Sequence, residues 1–333
     1  PKVTGQELQR VQLAFGLDRV PGILSNSRVK SNSHITRESA VYFGFSDEQV
    51  MLRESVRRFL DQRCPLKEVR KLKVTPRGFS EDLWQKMAQA GWLGVALPEQ
   101  YGGLGLGWLD LIVIIEEMGR SVFPSPFISN ALAATAIHEF GNAQQKQQTL
   151  PGLIDGSRKA TLALFEESAA ISLDLMLLKG DIQGDLLVLN GIKRTVMDPE
   201  TADCYVVSFR FGDNADEVGL ALVDAATRGV TARAYPMLDE TKRMGNLLLE
   251  DVGISTDQIL VMGAPAVAAI DRLVDQGALA LTAEMAGAMD AALQITVKYA
   301  GERTQFGHPI GHFQAVKHPL AEILVDLESC RSL

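Results

Sequence analysis

Residues 299–318 read YAGERTQFGHPIGHFQAVKH. Arg303 closes a long helical pattern, Phe306 and Gly307 follow it, and Phe313-Gln314 open a second helical pattern. Each residue type has a physical use in this order. A guanidinium at a helix end can fork onto a pyrophosphate, where a lysine would offer only a point charge. Phe306 offers a flat apolar face to a ring. Gln314 supplies a donor and an acceptor together. Taken alone, the stretch also suits a capped helix–loop–helix corner with Phe306 and Phe313 in the core.

The pattern before it runs from Ala266 to about Arg303. Val267, Ile270, Leu273, Val274, Leu281, Met285, Ala288, Ala292, Ile295 and Tyr299 recur at helical spacing, a stripe about 55 Å long at 1.5 Å per residue. The second helix starts near Gln314, and the chain reaches Leu333 inside that pattern.

Before residue 263 the texture is different. Ala160–Phe165, Leu186–Leu189, Thr195–Met197, Tyr205–Phe209, Leu220–Val223 and Val230–Tyr235 are short apolar runs. Asn190-Gly191 between two of them signals a hairpin turn. No helix intervenes, so an antiparallel barrel or sandwich is expected rather than βαβ units. Further upstream the period is helical again. Ser46 and Gln49 form a capping-box pattern ahead of Leu52, Val56, Phe59 and Leu60. A second helix starts near Ser80 with Leu83, Trp84 and Met87 inward, a third runs from Leu109 to a stop at Gly119, and a fourth from Ile128 to a stop at Gly141.

The expected layout is therefore multidomain, α and β. Residues 1–42 are a transit-like segment or a loosely held extension, rich in Ser and Asn and assigned no chemistry. Residues 43–158 form an all-helical domain, 159–262 a β domain, and 263–333 a helical bundle that reads as incomplete.

Composition narrows the function. There are 33 Lys and Arg against 41 Asp and Glu, which argues against a nucleic-acid footprint. No run of about 18 uncharged apolar residues is present, so no membrane span is expected. Cys64, Cys204 and Cys330 are widely spaced; neither a disulfide framework nor a metal cluster follows, and a reducing compartment is expected, the cytoplasm or, in a eukaryote, the mitochondrial matrix.

A second glycine-rich stretch, PEQYGGLGLGWLDLIVIIEEMGR at Pro98–Arg120, tempts a dinucleotide-binding reading. The spacing fails, because counted from Gly103 the third glycine would fall at Trp108. By itself the stretch is a tight loop feeding a helix. However, it closely resembles the acyl-CoA dehydrogenase pattern PEEYGGLG followed by a helix carrying EE-x-G-R. Residues 299–318 are similar to that family's Y-x-x-x-R-x-x-F-G-x-x-I-x-x-F-Q signature, with Arg303, Phe306, Gly307, Ile310, Phe313 and Gln314 in place. ARAYPMLDETKRM and the long-helix sequence have the texture of the small-subunit branch of hetero-oligomeric members.

The resemblance implies FAD as cofactor and an acyl-CoA thioester as substrate. The reaction would be α,β-dehydrogenation: a carboxylate takes the α-proton, the β-hydride goes to flavin N5, and an electron-transfer flavoprotein reoxidises the cofactor. It implies a homo- or hetero-oligomer, in which the Arg303–Gln314 segment touches FAD held mainly by a neighbouring subunit. The cofactor contacts carried over are Arg303, Phe306, Phe313 and Gln314, with Phe165, Glu166, Thr195 and Met197 on the β domain.

Several positions depart from the family pattern. LFEESAAISLD, 164–174, stands where T-E-P-x-x-G-S-D is usual, with Phe165 at the Thr position. Backbone N–H groups at Glu166–Ser168 remain available to the ring. Thr195, Val196 and Met197 replace W-I-T. On the long helix the family's D-x-x-R keeps its acid at Asp275, a candidate contact to the pantetheine arm, but Ala278 replaces the Arg. The family's base is usually a Glu on a late loop, which is not reached before Leu333; a subgroup places it at the position of Gly277. Glu284, seven residues later on the same helix face, is the candidate carboxylate here. Two other readings are a non-catalytic partner that completes another subunit's FAD site, and an oxygen-reacting flavin oxidase.

Overall fold

The computed structural model describes residues 44–166 and 176–332. Phe43, the 1–42 extension and Ser168 lie outside them. Helices come first. α1 (Asp47–Arg63) starts at a capping box in which the Ser46 hydroxyl and the Gln49 side chain each bond the other's backbone N–H, and it buries Leu52, Val56 and Leu60. α2 (Leu66–Leu72) follows Pro65. α3 (Glu81–Gln89), capped by Ser80, buries Leu83, Trp84 and Met87. Then come α4 (Trp108–Arg120), α5 (Phe127–Phe140) and α6 (Ala143–Ile154). α6 was not anticipated; its AQQKQQTLPGLI is short of apolar residues, and its one clear signal is the capping box of Asn142 with Gln145.

α4 does not stop at Gly119; it continues to Arg120. Gly119 is there for packing. A Cβ at Gly119 would stand 1.9 Å from the Glu284 carbonyl oxygen, and one at Gly287 would stand 1.8 Å from the Glu116 carbonyl oxygen. Two glycines thus let α4 cross α7 (Ala264–Glu302) with backbones nearly touching. Adding one methyl at either site forces the helices apart, and overpacking of this kind costs about 1–3 kcal/mol or more. Gly119→Ala and Gly287→Ala should each lower the thermal midpoint by several degrees while keeping the helical circular dichroism; an unchanged midpoint would mean that the crossing is looser than described.

The family's paired glutamates sit on the same helix. Glu117, almost fully buried, receives Arg57 from α1 at 2.6 Å and Arg120 at 2.9 Å. A carboxylate this buried is tolerated because both charges are paired, and the bridge ties α1 to α4.

The middle region is one eight-stranded sheet: β1 (Ala160–Ala163), β2 (Lys179–Gln183), β3 (Leu186–Met197), β4 (Cys204–Arg210), β5 (Val218–Asp224), β6 (Val230–Tyr235), β7 (Met244–Ser255) and β8 (Ile259–Met262). The order is β6-β7-β3-β2-β4-β5-β8, with β1 beside β4. Pairing is antiparallel except that β1 and β2 meet β4 in parallel. The sheet is not a closed barrel. Leu187, Leu189, Leu247 and Leu249 from one arm share a core with Val207, Phe209, Ala221 and Val223 from the other, so it folds over on itself as a sandwich does.

Asn190-Gly191 is not a hairpin turn. It lies within β3, at a register shift opposite β7. Asn190 and Asp251 are cross-bonded, side chain to side chain at 3.1 Å and Asp251 N–H to the Asn190 amide oxygen at 2.8 Å. Gly191 has φ 145°, and a Cβ there would press on Leu178 Cα at 2.9 Å. The pair therefore makes a bulge. The tight turn is Gly184-Asp185, between Gln183 and its partner Leu186, with Gly184 at φ 62°.

The last region is α7, a two-strand hairpin of β9 (Thr304–Gln305) and β10 (His308–Pro309), and α8 (Gln314–Ser332), which packs back along α7. The apolar stripe of α7 is buried in its first half, at Ile270 and Leu273, but Met285, Ile295 and Tyr299 are exposed in the single chain. No helix among the described residues is long and apolar enough to cross a membrane.

Candidate functional site

A cavity of about 210 Å³ opens where α4, α5, the end of β3, the segment before β7, and α7 converge. Met118, Phe123, Phe127, Ile128, Met197 and Leu281 make its apolar wall; Asp198, Asp239, Lys242, Arg243 and Glu284 make its polar end. Gly277, Leu281 and Glu284 share one face of α7 by their i, i+4, i+7 spacing. The fold thus joins two residues singled out separately in the sequence, Met197 and Glu284.

Glu284 is not free in this cavity. Its carboxylate is ion-paired with the Lys242 ammonium. Lys242 and Asp198 were not anticipated: Lys242 lies in the 232–244 stretch, but nothing there marks it as a site residue, and Asp198 stands in no recognisable pattern. Asp198, half-buried at the end of β3, accepts a hydrogen bond from the Ser129 hydroxyl at 2.7 Å. Burial pushes its carboxyl up to about 6, against the pull of that hydroxyl and of Lys242 and Arg243.

On the sheet, the expected flavin contacts divide. The Met197 side chain lines the cavity, while its carbonyl accepts the Thr161 hydroxyl at 2.8 Å. Thr195 is exposed, with φ 54°. The Phe165 carbonyl accepts the Arg194 N–H at 2.8 Å. The Glu166 side chain is committed elsewhere: it accepts the Leu177 and Leu178 N–H groups at 2.6 and 3.0 Å and the Lys193 ammonium at 2.7 Å. Lys193 is fully buried, and burial draws its ammonium down to about 8 despite Glu166. This pair pins the main chain on both sides of residues 167–175.

The 299–318 stretch is not a core corner. Phe306 is 90% exposed and sits at φ 52°, with Gly307 at φ 80°, as the two-residue tip of the β9–β10 hairpin. A phenylalanine in that backbone region is uncommon. The Ile310 N–H holds the Arg303 carbonyl at 2.8 Å, and Phe313 meets the Phe306 ring edge-on at 6.1 Å. Arg303 and Gln314 are exposed. Among the described residues no side chain bonds the Arg303 guanidinium. Asp275 is exposed on α7. No group of three or more potential metal ligands occurs among the described residues.

Two family descriptions match in series: acyl-CoA dehydrogenase, N-terminal domain, over residues 46–157, and acyl-CoA dehydrogenase, C-terminal domain, over 267–333. The acyl-CoA dehydrogenase IpdE2 of Mycobacterium tuberculosis is 31% identical over 290 residues, spanning 86% of this chain and 74% of the relative. The chain belongs to the acyl-CoA dehydrogenase family. Isovaleryl-CoA dehydrogenase of Pongo abelii is 29% identical over 305 residues, 86% of this chain and 70% of that protein. Among solved structures, the Tcur3481-Tcur3483 steroid ACAD is 36% identical with a TM-score of 0.75, over 85% of this chain and 74% of the other. The ChsE4-ChsE5 complex from Mycobacterium tuberculosis is 27% identical with a TM-score of 0.79, over 87% and 77%.

FAD is the cofactor of acyl-CoA dehydrogenases, and the hairpin fits half of such a ligand. Hydrated Arg303 and Gln314 side chains are ordinary on a surface, but together with the bare Phe306 ring they make a set of groups whose chemistry suits a pyrophosphate and an adenine-bearing group. On the sheet, position 197 carries a methionine and no side-chain hydroxyl.

Proposed function

We propose that this chain is a subunit of an oligomeric, FAD-dependent acyl-CoA dehydrogenase that takes two hydrogens from the α and β carbons of an acyl-CoA. The observation that carries this is the hairpin: Arg303, Phe306 and Gln314 are presented outward, away from this chain's own cavity wall. Bound FAD supplies the hydride acceptor. The chain's residues do the rest: Arg303 and Gln314 hold phosphate and sugar groups of a cofactor shared with the neighbouring subunit, Met197 and the 164–166 main chain back the ring, and the wall of Phe127, Ile128 and Leu281 keeps water from the acyl group. Electron-transfer flavoprotein would take the electrons onward.

The test is flavin content and its bleaching. The purified protein should hold FAD with a visible absorbance that fades when an acyl-CoA is added without oxygen. If the flavin binds but no acyl-CoA bleaches it, while peroxide forms with another substrate, the dehydrogenase reading is wrong. A second reading, the non-catalytic partner, is favoured by one observation: Gly277 has no side chain and Glu284 is tied to Lys242. In that case flavin would be retained only with a second, different subunit present.

A further inference from the structure

The polar end of the inter-domain cavity carries more than an alkyl pocket needs. Lys242 has three N–H donors, and among the described residues only Glu284 takes one. One Asp198 oxygen accepts from Ser129, which leaves acceptor capacity toward the cavity. Arg243 adds little to recognition, because its guanidinium is spent on the carbonyls of Lys73, Thr75, Glu240 and Lys242.

We propose that this cavity selects an acyl group bearing a neutral hydroxyl near its far end. This rests on the reading that the chain's own cavity takes the acyl group of a CoA thioester. Three kinds of tail differ in what they do to these groups. A hydrocarbon tail would strip water from Lys242, Glu284 and Asp198 and return no hydrogen bond. A carboxylate would add a further negative charge to the three acids Glu284, Asp198 and Asp239, which already outnumber the two cations Lys242 and Arg243. A hydroxyl accepts from the Lys242 ammonium and donates to a carboxylate, and so satisfies both without adding charge.

The bland account is that Lys242 and Glu284 simply staple the β domain to α7. Selectivity separates the two. FAD-loaded protein, with its partner subunit if flavin retention needs one, is titrated calorimetrically with hexanoyl-CoA, omega-hydroxyhexanoyl-CoA and adipoyl-CoA. The hydroxy compound should bind about tenfold tighter than either of the others, the effect of a hydrogen bond to a charged group. Lys242→Met should bring the hydroxy and hexanoyl compounds within about twofold of each other. If Lys242→Met loses flavin or folds poorly, Glu284→Gln serves instead: it should bring adipoyl-CoA close to the hydroxy compound by removing a facing charge and freeing Lys242. Equal affinity for hexanoyl and hydroxyhexanoyl, or a preference untouched by the variants, overturns the proposal and leaves the dehydrogenase reading standing. Failure of all three thioesters to bind overturns both.

Discussion

Arg303→Ala is expected to strip flavin from the protein while leaving its fold intact. The guanidinium sits at the end of α7 with its backbone fixed by two hydrogen bonds, the Arg303 N–H to Tyr299 O and the Ile310 N–H to Arg303 O. Truncating the side chain removes neither. It also leaves no buried group unpaired, because the side chain is exposed and bonds no other side chain among the described residues. Any change therefore reports on a ligand. Hydrogen bonds to a charged group contribute about 1.5–3 kcal/mol each, and a forked contact to phosphate makes two of them. Loss of affinity of a hundredfold or more follows. The measurement is FAD content after dialysis, set against helical circular dichroism. Arg303→Lys should recover only part of the affinity, since a point charge does not replace a fork. Full flavin retention in Arg303→Ala would remove the hairpin from the cofactor site.

Gly277→Glu is expected to raise turnover by about a hundredfold or more, the usual worth of a positioned general base. By i, i+4, i+7 spacing position 277 shares the face of α7 on which Leu281 and Glu284 line the cavity. There is room: a Cβ at Gly277 meets only Leu132 Cδ1, at an ordinary 3.8 Å. Replacing a glycine inside a helix also relieves about 0.5–1 kcal/mol of propensity cost, so the variant should be no less stable than the parent. Glu284 is a poor substitute for this base, because its carboxylate is held by Lys242 and displaced about 10 Å along the helix. The assay is acyl-CoA-dependent reduction of an artificial acceptor, with Gly277→Gln as the control that keeps size and removes basicity. No gain in Gly277→Glu with flavin still bound would place the acyl α-carbon away from this turn of α7.

How much of the site was legible follows from which signals are local. The Arg303–Gln314 segment stands out in the sequence as a unit because its residues lie within a dozen positions and recur as a spacing, and the structure keeps them together on one hairpin and the helix start that follows it. The exposure of Phe306 is only half legible: its residue type suits a cofactor face or a core corner, and the backbone decides between them by placing it at the tip of a hairpin with φ 52°. Glu166 was read through its backbone, and the structure adds a side chain locked to Lys193 and to the N–H groups of 177 and 178. That clamp joins β3 to the segment after β1 and to the residues just before β2, and no periodicity announces it.

The alternation of helical and strand-like period, the capping box at Ser46, the long helix from about Ala266 and the family of the chain were determined by sequence alone. Each depends on interactions within a few residues, or on spacing along the chain. Tertiary structure alone decided the rest. Gly119 reads as a helix stop until α7 lies across it with Glu284 O at 1.9 Å from where a Cβ would be. Asn190-Gly191 reads as a turn until β7 runs past it and Asp251 pairs with the asparagine. Lys242, Asp198 and Glu284 form one polar end only because the sheet, α5 and α7 meet there. Contacts between residues 42 and 69 positions apart are set by how layers pack, and packing is a property of surfaces in three dimensions that a one-dimensional pattern does not carry.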